Sequence, residues 1–221
     1  MSSYSQQDYH FDYCVTYKID RRSYEPFVYL KSIYTSSKDS LILANVITTK
    51  KGKISATIID YRSRIIHYYT NRPRRDKPTE HNFVYDFSYR MKGTQINAPD
   101  LKIYTERENV YQDSIVTKSN IKMFLVKRKK KHIFDIYLEA ETTEKDFFPT
   151  FQRMAFRHFE EVQHRFMDRN VLVKTAIVRN LSETNLSDYF QLIFNGPTDF
   201  SLSIDKLVVV KKPKSFEVTK S

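Results

Sequence analysis

Apolar and polar residues alternate along most of this chain. The longest run places apolar side chains at every second position, at Tyr9, Phe11, Tyr13, Val15, Tyr17 and Ile19. A second run of this kind covers residues 83–91. A period of two is typical of a strand that buries one face. Shorter segments with the same character recur along the chain, so the pattern predicts a mainly β protein.

Turn-like residues separate the predicted strands. Residues 36–40 form one separator, Asn195-Gly196-Pro197 forms another, and a kink is expected near Arg62-Ser63. The other strands are predicted at residues 27–34, 41–47, 54–58, 65–69, 101–104, 110–116, 121–125, 134–140, 171–178, 189–194 and 200–210. So many strands joined by short connections predict an antiparallel β-sandwich or a jelly roll.

One segment breaks the alternation. Between residues 148 and 166 the apolar side chains are spaced by three and four positions, as on the buried face of a helix. Asp146 is a candidate N-cap, and Pro149 is compatible with a first helical turn. We therefore expect one helix near residues 147–168. Pro149 could equally open a strand over residues 151–156, so that alternative stays open.

The chain shows no internal sign of a domain boundary. It contains no repeat, no low-complexity stretch and no shift of composition that marks a linker. A length of 221 residues fits one large all-β domain. We therefore expect a single domain over residues 1–212, with the helix inserted in it, and a flexible tail over residues 213–221.

The residues needed for common catalytic sites are missing. Three glycines are too few for a dinucleotide fingerprint or a phosphate-binding loop. Cys14 is the single cysteine, which rules out an intrachain disulfide and a zinc site with several cysteines. None of the six histidines has the spacing of a helical metal-binding pair. We expect no enzyme activity, no catalytic residue, no cofactor and no metal.

Neither a signal peptide nor a membrane-spanning helix is predicted. The first residues lack a basic region followed by an apolar run. No stretch approaches the roughly 18 apolar residues of a membrane span. We therefore expect a protein that is not secreted through a signal peptide and that has no transmembrane segment.

The net charge of +11 is concentrated in short clusters. Three clusters lie between predicted strands, and a fourth follows the last strand. Positive charge presented at defined places predicts an acidic partner, which can be nucleic acid, an anionic lipid surface or an acidic protein. The candidate binding residues are Lys50, Lys51, Lys53, Arg72, Arg74, Arg75, Lys127, Arg128, Lys129, Lys130 and Lys131; the fourth cluster contains Lys211, Lys212 and Lys214.

The strand count decides where these clusters lie. If every predicted strand reverses direction, the first three clusters fall at the same end of the fold. If the two segments around Arg62-Ser63 form one strand, the first cluster moves to the opposite end. Tyr68 and Tyr69 precede the second cluster and are candidates for stacking on bases. The alternative is that lysines at hairpin tips only maintain solubility and prevent strand edges from pairing.

Residues 130–151, with the sequence KKHIFDIYLEAETTEKDFFPTF, resemble part of the β-sandwich modules of bacteriophage tail fibres and baseplates. The similarity extends more loosely over residues 27–151. The chain departs from such modules in its three glycines and its charge of +11, since they are rich in glycine and near neutral or acidic. The resemblance implies a virion structural protein that is oligomeric and has no enzymatic activity.

Three functions therefore compete. The first is a non-enzymatic virion component, of a tail, a baseplate or another part, whose basic end docks an acidic neighbouring subunit in an oligomeric assembly. The second is a viral β protein that binds nucleic acid, such as a coat protein, a movement-type protein or a silencing suppressor. The third is a matrix-like protein on an anionic membrane surface. All three place the chain in a virion or in the host cytoplasm.

Overall fold

The structure of the protein is a computed structural model, and it describes residues 6–22, 27–73, 81–91, 102–127, 129–155, 167, 169–181 and 186–211. Most of these residues lie in strands, so the prediction of a mainly β protein is confirmed. In chain order the elements are β1 (Gln7–Arg22), β2 (Phe27–Thr35), β3 (Ile42–Thr49), β4 (Ile54–Asp60), β5 (Ile65–Asn71), β6 (Phe83–Arg90), β7 (Lys102–Gln112), β8 (Val116–Lys127), β9 (Lys129–Thr142), α1 (Phe148–Ala155), β10 (Val171–Asn180), β11 (Leu186–Ile204) and β12 (Val209–Val210).

The strands are hydrogen-bonded in one sheet with the order β12-β6-β5-β4-β3-β2-β1-β11-β10-β9-β8-β7. Most neighbours in this order are also consecutive in the chain, as in a meander. The predicted β-sandwich or jelly roll is therefore wrong, because both folds divide their strands between two packed sheets. Alternation shows that one face of a strand is buried, but it does not show what covers that face.

The chain divides into two compact units. Unit 1 comprises Met1–Cys14, Ser32–Lys92 and Gly196–Ser221, and unit 2 comprises Val15–Lys31 and Gly93–Asn195. The strands β1, β2 and β11 therefore contribute residues to both units. A single domain over residues 1–212 stays a prediction, and the expected tail at residues 213–221 lies outside the described residues.

Unit 1 buries the inner face of a curled sheet. Its core consists of Tyr9, Phe11, Ala44, Val46, Ala56, Ile58, Tyr69, Leu202 and Ile204. The ring of Phe200 on β11 lies 6.0 Å from the ring of Phe83 on β6 and 4.2 Å from the ring of Tyr34 on β2. Since β6 and β11 are far apart in the strand order, their contact shows that the curl of one sheet buries its own inner face.

In unit 2, α1 packs against β10. Phe151 of α1 is fully buried, and its ring lies 5.4 Å from that of Phe190 and 5.9 Å from that of Tyr17. The carboxylate of Asp146 accepts a hydrogen bond from the amide of Phe148 at 3.1 Å. The predicted helix and its acidic cap are therefore confirmed over Phe148–Ala155. Residues 156–166 and 168 of the expected helix lie outside the described part of the chain.

Two strands are longer than the sequence suggested. β11 continues through Asn195-Gly196-Pro197, where a turn was expected. β10 pairs with β11 from Leu186 to Gln191, so Pro197 interrupts no ladder with β10. β7 runs over Lys102–Gln112, where two short strands were expected.

Candidate functional site

The first basic cluster forms the tip of the β3–β4 hairpin. The amide of Gly52 donates to the carbonyl of Thr49 at 2.9 Å, and the amide of Thr49 donates to the carbonyl of Lys53 at 2.9 Å. Gly52 adopts a φ of +76°, a left-handed conformation that costs glycine little. Lys50 and Lys51 occupy the centre of this turn. Both side chains are exposed, and so is that of Lys53.

Arg72 of the second cluster follows β5 directly and is also exposed. Ser55 of β4 pairs with Thr70 of β5, and Lys53 and Arg72 each lie two residues beyond that pair. The two clusters therefore meet at one end of the sheet of unit 1, as expected if β4 and β5 are separate strands. We refer to Lys50, Lys51, Lys53 and Arg72 as the basic end.

Positive charge at the basic end is only partly compensated. Residues 48–55 and 70–73 contain these four cations and no acidic side chain. Asp86 of β6 accepts a hydrogen bond from Arg72 at 3.3 Å and another from Thr70. At the opposite end of the same strands, Arg62 forms an ion pair with Asp39 at 2.9 Å. The basic end therefore places four cations on stretches of chain that contain no acidic residue.

Tyr68 and Tyr69 lie on opposite faces of β5. Tyr68 shares its face with Arg72, and its ring stacks on those of Phe87 and Tyr89 at 5.0 and 5.6 Å. Burial raises the pKa of Tyr68, although the side chain remains partly accessible. Tyr69 is 2% exposed and belongs to the core, so its ring is closed to a base. The proposed stacking role is thus left to Tyr68.

The third basic cluster lies on a hairpin of unit 2. β8 and β9 pair as predicted, and Lys127 is the register partner of Lys129 at the tip. Lys130 and Lys131 continue the ladder on β9. The remaining residues of the second, third and fourth clusters lie outside the described residues; they are Arg74, Arg75, Arg128, Lys212 and Lys214. The binding role of all these clusters stays a prediction.

A chain of hydrogen-bonded polar side chains in unit 1, most of them buried, was not found from the sequence. His67 is 1% exposed; its Nε2 lies 2.9 Å from the hydroxyl of Tyr9, and its Nδ1 lies 2.7 Å from the hydroxyl of Ser88. The hydroxyls of Ser88 and Tyr85 are 2.6 Å apart, and the Tyr85 oxygen accepts from the amide of Val208 at 3.0 Å. Burial lowers the pKa of His67 to about 4, so the ring is neutral at neutral pH.

This network joins strands and does not form a nucleophilic site. A serine beside a histidine is an arrangement that activates a nucleophile. Ser88, however, is fully buried, so a substrate cannot reach its hydroxyl. The network instead ties β1, β5 and β6 to the segment that precedes β12. Alternation along β5 places His67 on the same face as Tyr69, which is the one sequence signal that points to its burial.

The described residues contain no other site with obvious chemistry. No three side chains of His, Cys, Asp and Glu among them are grouped to hold a metal ion. Cys14 is buried. A helix with the length and apolarity required to cross the bilayer is also missing from this part of the chain. The lack of catalysis and of cofactors remains a prediction.

The chain matches no family model and no curated protein. A solved structure, that of the LolA superfamily protein NE2245 from Nitrosomonas europaea, aligns with 86% of this chain and 87% of its own at 9% sequence identity and a TM-score of 0.34. A likeness of this size assigns neither a family nor a function. The resemblance to phage fibre modules stays a prediction, although the sandwich fold it implied is wrong.

Proposed function

We propose that this protein binds nucleic acid through the basic end of unit 1 and has no catalytic activity. The observation that carries the proposal is the placement of Lys53 and Arg72 at neighbouring strand ends, beside the exposed Lys50 and Lys51. Clustered cations produce a local positive potential that attracts polyanions. Contacts of this kind with phosphate groups bind nucleic acid independently of its sequence.

The sheet face next to the basic end favours nucleic acid over an acidic protein. Ser55 pairs with Thr70, and Thr57 pairs with Tyr68, so three hydroxyls and one aromatic ring share a face. Hydroxyl side chains donate hydrogen bonds to phosphate and sugar oxygens. An aromatic ring stacks on an unpaired base. The combination supports a preference for single strands.

Gel-shift binding to single- and double-stranded RNA and DNA across a salt series tests this function. The triple variant Lys50→Ser, Lys51→Ser and Lys53→Ser is expected to reduce the slope of log K against log salt by about two to three units, because each phosphate contact contributes about 0.7 to 0.9. No binding by the unaltered chain at near-physiological salt would contradict the proposal.

A matched control removes three cations from the opposite end of unit 1. It combines Lys38→Ser, Arg62→Ser and Arg64→Asn, and asparagine is chosen because Arg64 has a φ of 59°. The control should keep the original salt slope. Equal losses in both triple variants would show that net charge, rather than the basic end, governs binding.

The β8–β9 hairpin and the membrane alternative are tested in the same series. Serine at all five basic positions of the third cluster shows whether that hairpin adds phosphate contacts; the positions are Lys127, Arg128, Lys129, Lys130 and Lys131. Cosedimentation with phosphatidylserine vesicles tests the anionic membrane. Vesicle binding without nucleic-acid binding would replace the proposed function with the membrane role.

A second candidate is a structural component of an assembly, the virion role expected from the resemblance. An exposed apolar row in unit 2 favours it, since Tyr137 of β9 pairs with Ile177 of β10, which pairs with Tyr189 of β11. Tyr137 and Ile177 are 40% and 43% exposed. Exposed apolar residues that lie together are typical of an interaction surface. Sedimentation of an oligomer that Ile177→Lys dissociates would support this role, and a stable monomer would contradict it.

A further inference from the structure

The curled sheet of unit 1 is open between β6 and β11. β12 pairs with β6 at Ser88 and Tyr89. Within the described residues, no strand pairs with residues 83–87 on the side of β6 that faces away from β5. β10 pairs with β11 as far as Gln191, so residues 199–204 likewise have no described strand on the side away from β1. In the described part of the chain, neither stretch therefore pairs with another strand on its outer side.

A cleft of about 670 Å³ lies between these edges. Two consecutive runs, residues 81–85 and 199–203, line it together with Asp205 and Lys206. A cleft on one face of a sheet would be lined by every second residue, because side chains alternate between faces. Consecutive lining residues indicate that the strand edges themselves form the walls. The volume lies in the range of ligand-binding sites.

Aromatic side chains form the floor of the cleft. The rings of Phe83 and Phe200 meet edge to face with centroids 6.0 Å apart. Tyr85 also lines the cleft, and its hydroxyl oxygen accepts a hydrogen bond from the amide of Val208. The amide of Ser88 donates to the carbonyl of Val208 at 2.7 Å. The segment before β12 is thereby hydrogen-bonded to Tyr85 and Ser88 of β6, beside the aromatic floor.

Each edge of the cleft carries only part of what usually prevents strand addition. Residues 83–87 and 199–204 contain no lysine, arginine or proline, which natural proteins place on free edges to block pairing. β7, at the far edge of the same sheet, carries Glu106, Arg107 and Glu108 and has a register shift near Asn109. The β7 edge thus carries three charged side chains and a register shift. The edge of β6 carries one charge, Asp86, beside a register shift, and the edge of β11 carries one charge, Asp199.

The charge of the cleft is opposite to that of the whole protein. Asp199 and Asp205 line it, with Lys206 as a cation beside them. The side chain of Asp199 is 92% exposed and lies 3.6 Å from Nδ1 of His10. A cleft with two carboxylates in a chain of net charge +11 complements an occupant with basic side chains.

We propose that the cleft binds a short extended peptide segment of a partner protein, in which apolar residues alternate with lysine or arginine. The segment would add as a strand between β6 and β11. Its main chain would hydrogen-bond to the two edges, while alternate side chains would face the aromatic floor and the carboxylates of Asp199 and Asp205. One end of the cleft adjoins the basic end, because Asn82 hydrogen-bonds to the carbonyl of Arg72 at 2.9 Å. The proposal does not depend on nucleic-acid binding.

The probe is the synthetic peptide acetyl-KVKVKVK-amide, titrated into the isotope-labelled full chain and followed by backbone amide shifts. We expect the shifts to concentrate at residues 81–87 and 199–206. The same peptide with every residue N-methylated has no main-chain donor, so it cannot pair as a strand and should bind at least about tenfold more weakly, because main-chain hydrogen bonds provide the affinity. The peptide EVEVEVE should leave the amides of the cleft unshifted.

The double variant Asp199→Asn and Asp205→Asn tests the charge complementarity. It should weaken KVKVKVK binding about threefold to tenfold, the effect of two exposed ion pairs. The control, Asp8→Asn with Asp20→Asn, removes the same charge outside the cleft and should bind as the unaltered chain does.

Three results would overturn the proposal: no binding up to millimolar peptide, equal binding of the N-methylated peptide, or shifts that lie away from the cleft. The triple Ser variant at Lys50, Lys51 and Lys53 should bind the peptide normally. The experiments can therefore contradict the proposed peptide site without contradicting the proposed nucleic-acid binding, and the reverse.

Discussion

The hydroxyl of Tyr9 lies 2.9 Å from Nε2 of His67, although 58 positions separate the two residues in the chain. Tyr9 belongs to β1 and His67 to β5, and three strands lie between β1 and β5 in the sheet order. The hydrogen bond therefore spans the inner face of a curled sheet. Because the hydroxyl of Ser88 hydrogen-bonds to the other ring nitrogen, both nitrogens of the buried imidazole have a hydrogen-bond partner.

The buried imidazole predicts a pH-dependent stability. Burial lowers the pKa of His67 from its ordinary value of 6.5 to about 4. Between these values the unfolded chain binds more protons than the folded chain, so the free energy of unfolding rises with pH. The stabilisation is fully present above pH 6.5 and is lost as the pH falls toward 4. It amounts to at most about 3.5 kcal/mol, since one pKa unit corresponds to about 1.4 kcal/mol.

Urea unfolding between about pH 4.5 and 7.5 measures this dependence. His67→Gln removes the titrating group, so the difference in stability from the unaltered chain should shrink as the pH falls. His81→Gln changes an exposed histidine and should leave the original pH profile unchanged. If the free energy of unfolding of His67→Gln fell with pH as it does in the unaltered chain, groups other than His67 would cause the loss of stability in acid.

Local contacts were predictable from the sequence, and contacts between distant segments were not. Alternation identified β1, and apolar spacing with Asp146 identified α1. The contact between Phe83 and Phe200 could not be predicted, because apolar and polar residues alternate with a period of two both in a curled sheet and in a sandwich. That contact joins strands that are far apart in the sheet order, and it also contributes to the floor of the cleft.

The ion pair of Arg21 and Asp188 in unit 2 predicts a strong effect of single substitution. Nε of Arg21 donates to Asp188 at 2.7 Å, and the two side chains are 19% and 12% exposed. Asp188→Ala leaves the guanidinium largely buried without this carboxylate and should cost about 2 to 4 kcal/mol, somewhat below the cost in a fully buried pair. Denaturant midpoints at a constant m-value measure the loss.

A double-mutant cycle separates the pair from the packing of each residue. Arg21→Met with Asp188→Leu removes both charges and should be more stable than either single variant, because no unpaired charge remains. Strictly additive losses would contradict a coupled pair.

Phe151 is the residue through which we expect α1 to stabilise the core of unit 2. Its ring is fully buried and lies 5.8 Å from that of Phe148 in addition to its contacts with Tyr17 and Phe190. Phe151→Ala should reduce the free energy of unfolding by about 3 to 5 kcal/mol, because it leaves a cavity. Pro149→Ala alters an exposed residue of the same helix and should change it by less than about 0.5 kcal/mol. A mild effect of Phe151→Ala would mean that α1 contributes little to the core.

The ring of Tyr68 predicts a preference for single strands. Tyr68→Leu removes the ring that shares a face with Arg72, and it should weaken binding of single-stranded RNA at least about fivefold, since stacking contributes about 1 to 3 kcal/mol per base. Binding of double-stranded RNA should change little, because its bases are already stacked. Gel-shift titrations at one salt concentration compare the two ligands.

Two controls isolate stacking from folding and from the hydroxyl. Tyr68→Phe keeps the ring and should bind single-stranded RNA like the unaltered chain, whereas Tyr61→Leu changes a partly exposed tyrosine in the turn at the opposite end of β4 and should have no effect. If Tyr68→Leu weakened single and double strands equally, the ring would serve to pack Phe87 and Tyr89 beneath the basic end. Recognition would then rest on phosphate contacts alone, with the salt slope unchanged by Tyr68→Leu.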